Sequence, residues 1–132
     1  MEISVHDNWL VSYCVQAKKK EIRFHTVYPE QDPPEATDVI FTGVVAYQFE
    51  GDNFQNIISD VEEIEVEAVY DQNRAMFEKG QKYCWPGAWN NSEESVLTYL
   101  AENDIKAYSL WPAMGMGGWV LAKSMDFVSV TV

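Results

Sequence analysis

The chain has 132 residues, 47% of them hydrophobic and 23% charged, with a formal net charge of −12. That is the length of one domain able to bury roughly two thirds of the surface its unfolded form exposes, and the composition excludes a disordered chain. No apolar run approaches the ~20 residues of a bilayer-spanning helix, and an excess of carboxylates repels phosphate, which argues against nucleic acid as a partner.

The first residues, Met-Glu-Ile-Ser-Val-His-Asp, form neither a basic n-region nor an apolar h-region, and predict a cytoplasmic protein. Residues 9 to 17 alternate, with Trp9, Val11, Tyr13, Val15 and Ala17 on one side, and predict a half-buried strand. Lys18, Lys19 and Lys20 make a polar turn. Residues 21 to 28 alternate again, Ile22, Phe24, Thr26 and Tyr28 opposite Glu21, Arg23 and His25, which completes an antiparallel hairpin.

Residues 29 to 36, with three prolines, predict an exposed loop. Residues 37 to 49 are the longest apolar, β-branched and aromatic run and predict a central strand. Val39, Phe41, Val45, Tyr47 and Phe49 share one of its faces, and Gly43 marks a bulge or a close backbone approach. Gly51-Asp52-Asn53 turns the chain into a further strand over about 54 to 61.

Residues 61 to 69 fit an edge strand and a helix alike. A helix at about 66 to 80 is preferred, because Glu65 and Glu67 suit its start and Lys79 and Gly80 its end. An aromatic connection spans 83 to 89. Asn91 or Ser92 then caps a helix to about Glu102, with Val96, Leu97 and Leu100 on its stripe. Strands near 105 to 111, 119 to 123 and 127 to 131 close the chain. The expected fold is one α+β domain over residues 1–132: a mostly antiparallel sheet of about six to seven strands with two helices packed on one face.

No motif here carries catalysis. Gly115 to Gly118 precede a strand and lack the Lys-Ser/Thr of a phosphate-binding loop, so they read as a flexible hairpin loop. Cys84, with His6 or His25 as a distant base, matches no nucleophile signature, and Cys14 and Cys84 read as free, partly buried thiols. The histidines lack metal-ligand spacing, and His25 reads as solvated. No catalytic, cofactor-binding or metal-binding residue is assigned.

Charge is the informative feature. From Phe24 to Asn73 there is no Lys or Arg and there are twelve acids, whereas the rest of the chain carries nine acids and nine bases. Within that segment Asp60, Glu62, Glu63, Glu65 and Glu67 either protect a sheet edge from aggregation or form a docking surface for a basic partner. Of the five tryptophans most should anchor the core. Trp85 and Trp89, in the loop around Pro86-Gly87, are the pair expected to be partly exposed, and they join the five acids as the candidate partner-binding set.

Three stretches carry a resemblance: residues 37 to 52, Tyr83-Cys-Trp-Pro-Gly-Ala-Trp89 and Gly118-Trp-Val-Leu-Ala-Lys123. Their order and spacing, over most of the chain, resemble small acidic bacterial proteins of unassigned function, similar to the immunity-type proteins that accompany polymorphic toxins. The resemblance implies a non-catalytic protein that neutralises a basic protein by covering it, and implies no functional residues. A different class stays open, a small-molecule binder or enzyme with a pocket between sheet and helices lined by Tyr47, Trp85 and Trp111. So does a homo-oligomer joined through the edge of the C-terminal strand.

Overall fold

The alternation at residues 21 to 28 sets the pattern of the fold. Ile22, Phe24 and Thr26 are buried and their neighbours are partly exposed, as a strand with one face on a core requires. In the structure, a computed structural model that describes residues 3–87, 89 and 92–130, this segment is β2 (Glu21–Tyr28). The other strands are β1 (Trp9–Gln16), β3 (Glu35–Thr42), β4 (Ala46–Glu50), β5 (Asn56–Ile64), β6 (Lys106–Met114), β7 (Gly117–Ala122) and β8 (Ser124–Val130). Three helices, α1 (Val66–Gln72), α2 (Arg74–Gln81) and α3 (Glu93–Glu102), follow β5 in the chain. The α+β class and the antiparallel sheet are as expected. The counts are not: among the described residues there are eight strands rather than six or seven, and three helices rather than two.

Both extra elements have a local cause. The long run at 37 to 49 is broken between β3 and β4 at Gly43, whose φ of +67° suits glycine, and a Cβ there would meet the Lys123 side chain at 2.8 Å. The helix expected at 66 to 80 is broken at Asn73, whose backbone leaves the helix (φ −132°, ψ 29°) while its side-chain amide donates to the Val69 carbonyl at 2.8 Å. Ser92 caps α3, its Oγ accepting from the Ser95 N–H at 3.1 Å. The alternative cap, Asn91, lies outside the described residues.

The strand order is β4-β7-β6-β5-β1-β2-β3-β8, every neighbouring pair antiparallel. It divides into two layers of four. Only Trp9↔Ile57 and Leu10↔Asn56 pair β1 with β5, so the layer β5-β6-β7-β4 meets the layer β1-β2-β3-β8 along a short seam. At the other side the chain itself joins them. β3 passes into β4 and β7 into β8, and the bonds Lys123 N–H to Thr42 O and Val45 N–H to Leu121 O, both 2.9 Å, carry the pairing across the corner. The sheet thus closes into a barrel.

Its interior holds the first apolar cluster. Phe24 of one layer packs against Phe49 of the other (ring centroids 5.4 Å) and Phe41 against Tyr108 (5.7 Å), with Ile22, Val39, Ile58, Val61, Leu110 and Val120 around them. A second cluster lies outside the barrel, where the three helices cover β4, β7 and β6. Phe77 is fully buried there between Tyr70, Trp85 and Trp119. The Gly-Gly-Trp-Val-Leu-Ala run of β7 follows from this, because its two faces serve two cores.

Three further expectations are corrected. A bulge between Leu10 and Ser12 shifts the parity of β1, so Leu10 is buried while Trp9 and Val11 are exposed. Both cysteines are free but exposed, Cys14 on the outer face of β1 and Cys84 in the turn after α2. The glycine-rich stretch is a tight turn rather than a loose loop: β6 runs on to Met114, Gly115 turns at φ +81°, and Gly118 lies so close to the Gln48 carbonyl that no Cβ fits.

Candidate functional site

The five clustered acids are close together in sequence but do not form one group in space. On β5, Asp60 pairs with Trp111 and Glu62 with Ser109 on the outer wall, whereas Glu63 pairs with Tyr108, which packs in the interior. Glu65 is the N-cap position of α1 and Glu67 lies in its first turn, a favourable place for a negative charge. Glu63, Glu65 and Glu67 line an open depression of about 500 Å³ with Lys106 on the same rim. Burial, helped by the Glu63 and Asp126 charges, raises the Tyr108 phenol above its ordinary pKa.

Trp85 and Trp89 do not join them. Both are partly exposed, yet they hold the loop to the helices: Trp85 lies against Phe77 (5.1 Å), and the Trp89 indole donates to the Trp85 carbonyl at 2.8 Å. Trp85 lines a different cavity, of about 350 Å³, between the β1–β2 turn, the β3–β4 corner and α3, together with Tyr47, Tyr99 and Lys20. Trp111, expected with Tyr47 and Trp85, instead lines a groove of about 300 Å³ beside α1.

The aromatics that do meet the acids are others. The Trp111 indole donates to Glu62 Oε1 at 2.9 Å, and Trp111 is 48% exposed. Register places Met114 beside Ile57 and Ile57 beside Trp9, so an apolar row crosses β6, β5 and β1 on the outer wall. Trp9 and Met114 are 49% and 46% exposed. Alternation in β6, with Tyr108 and Leu110 inward, would have turned Trp111 outward. The bulge in β1 hid Trp9.

A buried carboxylate was also missed. Asp38, 4% exposed on the outer face of β3, takes the Arg23 guanidinium at 3.2 Å, and His25 Nδ1 lies 3.0 Å from its other oxygen. His25 is therefore not simply solvated, since a buried carboxylate requires donors. Asp52 is held by three: the Asn56 amide at 2.9 Å, the Phe54 N–H at 3.2 Å and the Tyr13 hydroxyl at 3.0 Å, which lower its pKa. The same bond raises the pKa of Tyr13.

Asp38, paired with Arg23 and His25, and Asp71, paired with Arg74 at 2.8 Å, are the two of the twelve acids in 24–73 that have a cation within ion-pair distance among the described residues. The others are exposed. Among the described residues no three His, Cys, Asp or Glu side chains are grouped to hold a metal ion, and no helix is long and apolar enough to cross a membrane. No protein-family model and no curated protein matches the chain.

Proposed function

We propose that this is a non-catalytic binding protein of the immunity type, which neutralises a basic protein partner by covering it with an acidic surface. The observation that carries the reading is the absence of counter-ions: apart from Asp38 and Asp71, the carboxylates of residues 24–73 are solvent-exposed with no described cation against them. An uncompensated field of this sign attracts cationic proteins and speeds their encounter. A basic protein retained on the immobilised chain, identified and then measured in solution, should associate at least about tenfold more slowly when salt rises from about 50 to about 500 mM. A rate indifferent to salt defeats the reading.

A second reading has one observation in its favour. The cavity of about 350 Å³ brings Tyr47 and Trp85 together as a small-molecule binder or enzyme between sheet and helices would need. A ligand bound there would perturb the Trp85 indole and leave the salt dependence of any protein partner untouched.

A further inference from the structure

Four exposed large apolar side chains, Trp9, Phe54, Trp111 and Met114, lie around the meeting of β1, β5 and β6, with the half-buried Ile57 between them. Trp9, Ile57 and Met114 form one cross-strand row, Trp111 stands three residues from Met114 on β6 with its indole bound to Glu62, and none of the three helices packs over the row. Phe54, in the turn that leads into β5, is 99% exposed. Large apolar and aromatic side chains grouped on a sheet face without a covering layer are characteristic of interfaces, and tryptophan is prominent among their energetic anchors.

The charges around this face select its occupant. Residues 3–17, 46–64 and 107–122, which contribute β1, β5 and all of β6 but its first residue, contain no Lys or Arg. Asp60 lies opposite Trp111 and Glu62 opposite Ser109, three and five residues along β5 from Ile57, and Asp7, 3.4 Å from His6, lies beside the seam, where its N–H bonds the Ile58 carbonyl at 2.8 Å. The bases of the same strands sit at their far ends. Lys106 opens β6, and at about 3.3 Å per residue it is roughly 17 Å from Trp111 and roughly 26 Å from Met114 along the strand. Lys18 lies farther still from Trp9. Those separations exceed about two Debye lengths at physiological ionic strength, so the lysines leave the field at Trp9, Ile57 and Met114 uncancelled, whereas Lys106 is nearer Glu62, whose partner Ser109 lies three residues away on β6. Arg23, on the neighbouring strand, is engaged by Asp38.

We propose that the row Trp9–Ile57–Met114, with Trp111 and Phe54 at its margins and Asp60 and Glu62 beside Trp111, is the docking surface for a cationic protein segment that carries apolar side chains. Its apolar groups pack on the tryptophans while its Lys and Arg meet the two carboxylates. This rests on the basic-partner reading and places that partner on a defined face, one that shares only Asp60 and Glu62 with the clustered acids.

The test follows the five indole N–H signals by NMR while a synthetic peptide of alternating arginine and leucine is added, with an arginine–serine peptide for comparison. The Trp9 and Trp111 signals should move to saturation with the leucine peptide, and the affinity should fall about tenfold or more between about 50 and about 300 mM salt. Met114→Lys and Phe54→Ser, both at exposed positions, should each weaken binding about tenfold with unchanged thermal midpoints. Movement of Trp85 and Trp89 with Trp9 and Trp111 still places the peptide elsewhere and overturns this surface while leaving a basic partner standing. No movement at low salt overturns both. Trp9 and Trp111 shifts that appear on raising the protein concentration alone assign the face to a second copy and overturn the proposal.

Discussion

The outer faces of the two layers have opposite fates. Over β4, β7 and β6 the outward set includes the apolar Ala46, Trp119, Leu121 and Ala107 beside the polar Gln48 and Ser109, and three helices bury the apolar ones. Over β1, β2, β3 and β8 the outward rows are mixed. Ser12, His25, Asp38 and Val128 form one row and Cys14, Arg23, Ile40 and Asp126 the next, and no helix covers them. The inner faces of both layers are equally apolar, so what differs is how much hydrophobic area the outer face leaves to be removed from water. The helices settle where that area is largest. What stays bare is either satisfied by polar pairing, as at Asp38, or left as an exposed apolar row, as at Trp9.

The contrast can be broken most severely on the covered side. Leu121 is fully buried under the helices, and Leu121→Ala should cost about 2–5 kcal/mol through lost burial and the cavity left behind. Val128, 40% exposed on the bare face, is its control: Val128→Ala should cost less than about 1 kcal/mol. Urea unfolding of the two variants measures both. Similar losses would mean that the bare face is covered in solution.

Next in size is the polar centre of the bare face. Asp38→Asn keeps the shape but removes the charge from a site 4% exposed that binds Arg23 and His25. Because both partners are near two-fifths exposed and can return to water, the cost should be about 1–3 kcal/mol rather than that of a fully buried pair. The urea midpoint tests this, and a neutral result would make the cluster a surface ornament. Smaller again is the cap of the covering layer. Ser92→Ala removes the side-chain acceptor of the Ser95 N–H and leaves its bond to the Ser92 carbonyl, and should lower stability by about 1 kcal/mol or less and show first in hydrogen exchange of α3.

How much of this could be read from residues alone varies with how local the determinant is. The inward set Ile22, Phe24, Val39 and Phe41 follows from alternation, and a cap at Asn91 or Ser92 from residue type, of which Ser92 is seen to cap. The parity of Trp9 did not, because a bulge is invisible where both neighbours are apolar. Gly43 signalled a bulge, but not that it would send Val44 into the interior and Val45 toward the helices. Asp60 to Glu67 looked like one site because they are neighbours in sequence. The period of two and the turn into α1 disperse them, and the resulting contact of Glu62 with Trp111 joins residues 49 apart. The segregation of charge into residues 24–73 was legible at once. Its outward display depends on which acids lack partners, which only the folded arrangement decides.

The least costly change concerns the tie between the two layers, since Tyr13 of the bare layer donates to Asp52 in the turn between β4 and β5. Three donors, the Asn56 amide foremost, lower the Asp52 pKa, so the folded state holds that proton less tightly than the unfolded chain. Its contribution is present above the ordinary carboxylate value, near 4, and is lost as pH falls through the lower native value. Tyr13 is the mirror case. Its pKa is raised, chiefly by the bond to Asp52, so its contribution is present below the ordinary phenol value, near 10, and is lost as pH rises through the native one. Urea midpoints from about pH 6 to about pH 2 should show wild type and Asp52→Asn converging toward acid, and Tyr13→Phe should flatten the alkaline limb. Parallel curves across the acid range would mean that the carboxylate does not hold this turn, and that the interior packing, the seam at Trp9 and Leu10 and the corner at Gly43 suffice to join the layers.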